Sequence, residues 1–439
     1  MSPVPADARL AFDRCEELGG ITSVPGTITR LHLSAEHAWA NALVARWMRS
    51  AGLRTWVDAA GNLCGRLEGR EPGLPAVVLG SHIDTVPDAG RYDGPLGVML
   101  ALGVARRLRN RMENSPHALE VVAFSDEEGA RFGSALMGSR AFAGTWDDAW
   151  FDQTDEAGMT LRRAFADFGL DPHQVGAAAR EPSDVVAYLE AHIEQGPLLQ
   201  DAGRSLGVVT SIAGARRFAL TVTGEARHAG GTPYDRRRDA LVGASFAVIA
   251  VEDIAKRRDV IATVGQLQAH PGAVNVVPGR VEFSLDLRAA DDPARDAAWE
   301  EMLATITSVC DERGLQFHWV EEHRAPAVVC APWLQDVIRD AVAGVELAAG
   351  AEDPAPAPGA GTAARASGPV PPVEVPELYS RAGHDAMAVA HLTEVGMLFI
   401  RCLDGISHSP FESVTVDDVA DALDAFTSAT AAVLATERS

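Results

Sequence analysis

Cysteine is scarce in this chain of 439 residues, and the five present (Cys15, Cys64, Cys310, Cys330, Cys402) are widely scattered. No C-x-x-C pair occurs, so neither a disulfide framework nor a cysteine zinc site is expected. Basic charge is also short: 38 lysines and arginines stand against 61 aspartates and glutamates, a formal net charge of −23. A phosphate backbone selects basic surfaces, which argues against nucleic acid as a partner and leaves at most a local basic pocket around Arg236-Arg237-Arg238. No uncharged apolar run reaches the roughly 18 residues that span a bilayer, so no membrane association is expected. The start, Met1-Ser2-Pro3-Val4-Pro5-Ala6-Asp7, lacks the basic-then-apolar pattern of a signal peptide, and the expected location is the cytoplasm. A serine-hydrolase elbow is missing too: Gly133-Ser134-Ala135-Leu136-Met137 has no second glycine.

What remains is an ordinary globular composition, 47% hydrophobic and 23% charged, in a chain long enough for two domains or one domain with a large insertion. Helix and strand patterns alternate in the first half. Trp39, Leu43, Val44, Trp47 and Met48 predict an amphipathic helix over 35–51, and residues 54–58 and 62–67 predict a hairpin around Gly61-Asn62. Apolar runs at 76–79 and 119–124 flank a helix pattern at 95–109, a βαβ unit in a sheet covered on both faces. A further strand at 185–191 leads into His192. From about 215 to 325 the rhythm changes: strand 217–223, helix 237–257, strands 261–269 and 280–289, helix 292–313, strand 315–321. That β-α-β-β-α-β order predicts a ferredoxin-like module, inserted because the first pattern resumes with helix 333–345, strand 396–401 and helix 416–436. Residues 347–375, rich in Ala, Pro and Gly, predict a surface loop that cannot pack a core.

The chemistry-bearing residues lie at strand ends and in loops, where α/β folds place their sites. His82 and Asp84, in Ser81-His82-Ile83-Asp84, fall on one side of an extended segment, so one can ligate a metal while the other orients it. Asp93 follows in a glycine-rich loop. Asp126-Glu127-Glu128-Gly129 sets three acids at the end of a buried run, a costly arrangement unless a cation neutralises them or one stays protonated. His192 and His408 sit in two further strand-end segments, His192-Ile193-Glu194-Gln195-Gly196-Pro197 and Gly405-Ile406-Ser407-His408-Ser409-Pro410. Alone, each histidine reads more readily as a structural loop residue, and the acidic turn reads equally as a solvated one. Four together form a mixed nitrogen and oxygen donor set suited to zinc, manganese, cobalt or nickel.

These motifs resemble the M20 metallopeptidase superfamily, and within it the amidase, hydantoinase and carbamoylase branch. That branch includes N-carbamoyl-L-amino-acid hydrolases, β-ureidopropionases and allantoate amidohydrolases. The resemblance rests on Gly80-Ser81-His82-Ile83-Asp84-Thr85-Val86-Pro87, Tyr92-Asp93-Gly94, Glu127-Glu128-Gly129-Ala130-Arg131-Phe132, the His192 and His408 segments and His228-Ala229-Gly230. It implies a catalytic α/β/α domain over 1–212 and 329–439, a lid and dimerisation domain over 213–328, and a homodimer. It further implies two divalent ions bridged by Asp93, with His82 and His192 on one and Glu128 and His408 on the other. Glu127 would be the general base, and Asp84 the partner that orients His82. His228 would polarise the scissile carbonyl from the partner subunit, while Arg288 and Asn275 hold a substrate carboxylate; Gln195 and His384 are further pocket candidates. The implied reaction is hydrolysis of a linear ureido amide, an N-carbamoyl-L-amino acid giving amino acid, ammonia and carbon dioxide. Allantoate hydrolysis is the alternative, and a dipeptidase, an aminoacylase or a non-catalytic metal-dependent binding protein stands behind it. Gly231, Tyr234, Arg381 and Phe411 depart from the branch's usual residues, and being close to the expected pocket they bear on substrate choice.

Overall fold

The computed structural model describes residues 5–351 and 374–436, and it is a mixed α/β structure. It divides into two compact units, one of Met1–Thr210, Cys330–Leu378 and His384–Ser439, the other of Ser211–Val329 and Tyr379–Gly383.

The centre of the first unit is a parallel sheet. Strand Ala76–His82 runs parallel to Ala118–Phe124 on one side and to Val185–Ile193 on the other, and Val395–Ile400 continues the parallel run. Three of these strands are buried at every position, as expected where helices cover both faces. The hairpin Arg54–Val57 and Leu63–Leu67 adds antiparallel strands beyond Ala118–Phe124, and Leu206–Ile212 pairs antiparallel with Val395–Ile400. The crossover between the first two parallel strands is helix Pro95–Leu108, which begins one residue after Gly94, with its proline at the first helical position. Eleven of its 14 residues are buried, because helices Ala6–Gly19 and Val416–Leu434 pack over it. This topology brings His82, the turn after Phe124, His192 and the loop after Ile400 to the carboxyl ends of neighbouring strands.

The second unit is an antiparallel sheet in the order Leu267–His270, Arg280–Ala289, Gly214–Thr223, Gln316–Ala325, with Ile261–Thr263 also paired to Arg280–Ala289. Burial alternates along Arg280–Ala289, so one face is covered, by helices Ala240–Arg258 and Asp292–Glu312. Phe218 stacks on Trp299 at 3.8 Å between ring centroids in that core. The single strand expected over 261–269 is two strands, and Gly265 lies in the break. The helix expected to end at 345 runs from Pro332 to Ala351, into the segment read as a loop. Alanine favours helix and the first proline comes only at 354, so the last turns persist. The rest of that expected loop, up to residue 373, lies outside the described residues.

Candidate metal centre

Asp93 stands where two clusters of ligand atoms meet. Its Oδ1 lies 3.2 Å from Nε2 of His192 and 3.8 Å from Nε2 of His82, while its Oδ2 lies 3.3 Å from Nε2 of His408. Nε2 of His408 is also 3.4 Å from the Glu128 carboxylate, and Nε2 of His82 is 4.0 Å from that of Glu127. Within each of the groups His82–Asp93–His192, His82–Glu127–Glu128 and Asp93–Glu128–His408, the potential ligand atoms lie within 4.8 Å of one another. One carboxylate thus presents one oxygen to each of two donor sets.

The ring nitrogens fit a cation. Nδ1 of His82 is 3.1 Å from the Asp84 carbonyl, and Nδ1 of His192 is 2.9 Å from the Ile193 carbonyl. A carbonyl there holds the ring proton on Nδ1, leaving the Nε2 lone pair facing Asp93 and available to a metal. The Asp84 carboxylate is farther from Nδ1, at 3.4 Å. Its oxygens instead accept the backbone N–H groups of Glu127 at 3.0 Å and Glu128 at 3.1 Å. Asp84 therefore fixes the acidic turn as well as flanking His82.

Close packing leaves the ligand loops little freedom. A Cβ on Gly94, whose φ is +81°, would lie 2.4 Å from the His82 ring, so only glycine permits this approach. Gln195 and His408 themselves adopt left-handed backbone conformations, φ 56° and 53°, an uncommon strain for such residues that recurs at functional sites. The Gln195 amide donates to Asp93 Oδ2 at 2.8 Å, and the Ser407 hydroxyl donates to the same oxygen.

Burial dominates the electrostatics. It pushes the Glu127 carboxyl well above the ordinary range, with Glu128 adding to the effect and His82 opposing it. Burial likewise raises Glu128 to about 8, against His82 and together with Asp93. At His82 burial favours the neutral ring, yet Asp84 and Asp93 outweigh it and raise the imidazole well above its usual range. At Asp93 burial is outweighed by His192 and His82, which hold the carboxyl low. Buried acids and imidazoles sharing protons in this way form a donor set that divalent cations satisfy better.

The other sequence candidates fall into place unevenly. His384 is buried with its ring edge-on to His192 at 4.4 Å between centroids. In the second unit the structure brings His228 and Asn275 together: strand Arg227–His228 pairs with Val276–Val277, and the Ala229 N–H donates to the Asn275 carbonyl at 2.9 Å. Nδ1 of His228 accepts the Gly231 N–H at 3.0 Å, so a neutral His228 carries its proton on Nε2, pointing a donor outward. Arg288 forms a two-pronged pair with Asp286 at 2.8 and 3.2 Å and donates to the Arg381 carbonyl at 2.9 Å. Three of its five N–H donors are engaged among the described residues, and two remain.

Two carboxylates went unnoticed in the sequence. Glu412 reaches back to the Asp93 loop, where one oxygen accepts the N–H of Tyr92 at 2.6 Å and of Asp93 at 3.1 Å. Its only sequence signal is its place four residues after His408. Glu190, fully buried, accepts from the hydroxyls of Ser81 at 3.0 Å and Tyr188 at 3.1 Å and from the Ala386 N–H at 3.0 Å. It looked like an ordinary strand residue.

The fold and this converging set of potential ligand atoms fit a metal-dependent hydrolase of the M20 kind, and residues 78–432 match the model of Peptidase family M20/M25/M40, so the chain belongs to that family. It is 40% identical over 411 residues to the N-carbamoyl-L-amino acid amidohydrolase of Geobacillus stearothermophilus, covering 93% of this chain and 94% of that one. It is 37% identical over 435 residues to an allantoate deiminase of Arabidopsis thaliana, covering 93% and 79%. Among solved structures, an amidase of the hydantoinase/carbamoylase family from Burkholderia multivorans superposes with a TM-score of 0.84 at 31% identity, covering 99% of each chain.

Proposed function

We propose that this chain is a dinuclear metal amidohydrolase that cleaves linear ureido amides, with N-carbamoyl-L-amino acids as its substrates. The observation that carries the reading is the division of the Asp93 carboxylate, one oxygen to His82 and His192 and the other to His408 beside Glu128. Bound divalent ions, zinc, manganese, cobalt or nickel, would supply Lewis acidity to water and to a substrate carbonyl.

Glu127 is the group left to move the proton. Its carboxylate flanks the donor set at 4.0 Å from His82, and its backbone is pinned by Asp84. Burial favours a carboxyl that keeps a proton once it has taken one, as a base that later acts as an acid requires. Water adds to the ureido carbon, Glu127 takes one of its protons and delivers it to the first departing nitrogen, and the carbamic acid left behind loses carbon dioxide as its remaining proton passes to the second nitrogen. The products are the amino acid, ammonia and carbon dioxide.

His228, with its Nε2 proton outward, is the donor that meets the oxygen of the scissile carbonyl as charge develops there. Arg288, with two N–H donors to spare, and the exposed Asn275 hold the substrate carboxylate. In this reading residues 213–328 are a ferredoxin-like lid and dimerisation domain, set between catalytic segments 1–212 and 329–439, and His228 acts on the partner subunit's substrate in a homodimer. Val242, Phe246 and Ile249 support the dimer: they leave an exposed apolar stripe along helix Ala240–Arg258, which packs by strand Ile261–Thr263. Gln195, which donates to Asp93, and His384, edge-on to His192, are the candidates for substrate contacts beside the donor set.

A second reading, allantoate hydrolysis, is favoured by the 37% identity to the plant deiminase. Ammonia release from a panel of N-carbamoyl-L-amino acids, β-ureidopropionate and allantoate, with each divalent metal in turn, separates the two. Turnover of allantoate alone would replace the carbamoyl reading, and turnover of neither would remove the ureido class.

A further inference from the structure

We propose that Arg30 is a positioning residue for the metal-ligand loop, clamping the backbone between His82 and Asp84 from a segment that precedes the family-matched part of the chain. The proposal rests on the metal-centre reading above.

Arg30 is 1% exposed and among the largest fully buried side chains of the molecule. A buried guanidinium is costly to desolvate and persists only where its N–H groups are met. Here Nε donates to the Ile83 carbonyl at 2.5 Å, and Nη1 donates to the carbonyls of Leu18 at 3.0 Å and Ile21 at 3.1 Å. Leu18 belongs to the last turn of helix Ala6–Gly19, where its carbonyl also accepts the Ile21 N–H at 3.0 Å and a cation complements the helix dipole. One planar side chain therefore ties the end of that helix to the peptide that separates His82 from Asp84.

The backbone repeats the connection. The Arg30 N–H donates to the Thr85 hydroxyl at 2.9 Å, and the Thr85 N–H returns to the Arg30 carbonyl at 3.0 Å. The Ala89 N–H donates to the Ile28 carbonyl at 2.8 Å, and the Asp88 N–H to the Thr29 hydroxyl at 3.1 Å. Two residues on, Nδ1 of His32 meets the Ser125 carbonyl at 2.8 Å, just ahead of Asp126-Glu127-Glu128, and Arg131 donates to the His32 carbonyl at 2.8 Å. Residues 28–32 thus brace both the His82 segment and the acidic turn, although the family match begins only at residue 78. Lysine cannot replace this: a single ammonium lacks the rigid fork that serves Ile83 and Leu18 together.

The test is Mn²⁺ affinity of the full-length apo protein, measured by chelator competition, alongside kcat and KM on an N-carbamoyl-L-amino acid. Arg30→Met and Arg30→Lys are expected to weaken Mn²⁺ binding at least tenfold and to lower kcat in step, with KM held within about twofold; loss of an outer partner of a metal ligand typically has an effect of roughly 10- to 100-fold. Thr85→Val, which removes one strand of the clasp and leaves the cation, should weaken binding severalfold. Folded Arg30→Lys protein with wild-type Mn²⁺ affinity and only a lower melting temperature would overturn the proposal. If Arg30→Met fails to fold, Arg30→Lys and Thr85→Val decide. Wild-type protein that binds no divalent ion overturns the metal-centre reading and this proposal together, whereas tight wild-type binding with unchanged variants sinks this proposal alone.

Discussion

Oδ1 of Asp84 accepts the backbone N–H of Glu127 at 3.0 Å, so the residue flanking His82 also sets the height of the proposed base. Asp84→Asn keeps one acceptor oxygen but turns an amide N–H₂ toward the Glu128 N–H, now held by Oδ2 at 3.1 Å. The expected result is a kcat about 10- to 100-fold lower, with weaker metal binding and KM little changed. Steady-state kinetics beside a metal titration check this, and a variant changed only in KM would contradict it.

Glu127→Gln separates binding from proton transfer. The amide is close in shape, and the donor set His82, Asp93, His192, Glu128, His408 is untouched. Metal content by elemental analysis should match wild type while kcat falls about 100- to 10,000-fold, the range for a lost general base. Retained turnover would remove Glu127 from that role.

Glu412 offers a graded comparison. Because a single oxygen accepts the N–H groups of both Tyr92 and Asp93, Glu412→Gln can keep both bonds. Glu412→Ala leaves two buried donors unmet, at a cost of about 1–3 kcal/mol each. Urea denaturation should show the alanine variant clearly destabilised and short of metal, with glutamine close to wild type. Equal loss in the two variants would mean that the charge, not the acceptor, matters.

His32 and His37 predict the acid limb of stability. Burial holds both imidazoles neutral, with pKa values lowered from 6.5 to about 4 and about 3. Since the unfolded chain gains protons first, stability present above pH 6.5 is lost as the pH falls toward 4. Each ring contributes a slope of at most about 1.4 kcal/mol per pH unit. His37→Gln should flatten that slope in denaturant titrations between pH 7 and pH 4.5; an unchanged slope would refute the assignment.

How much was visible beforehand follows from the range of each interaction. The hairpin around Gly61-Asn62 and the strand Ala76–His82 were legible because a turn signal or an apolar run is local. Strand ends then pointed to His82, Asp93, His192 and His408 as a group, which the topology gathers at neighbouring carboxyl ends. The stretch between Phe124 and Val185 gave no such signal, since its helices Met137–Phe142 and Leu161–Phe168 are too short for a periodic pattern. Glu412 was hidden for a different reason: its partners Tyr92 and Asp93 are 320 and 319 positions away. Arg30 was equally silent, as a lone arginine in irregular chain carries no mark of the carbonyls awaiting it.

The reach of Glu412 across the chain has a consequence for biosynthesis. His82, Asp93, Glu128 and His192 leave the ribosome early, then the whole antiparallel unit must be made before His408 and Glu412 appear. A nascent chain therefore carries all the residues of the His82–Asp93–His192 group before His408 of the Asp93–Glu128–His408 group has been made. On the dinuclear reading proposed above, the order of translation would become an order of ion capture, with the first ion seated before Glu412 braces the Asp93 loop.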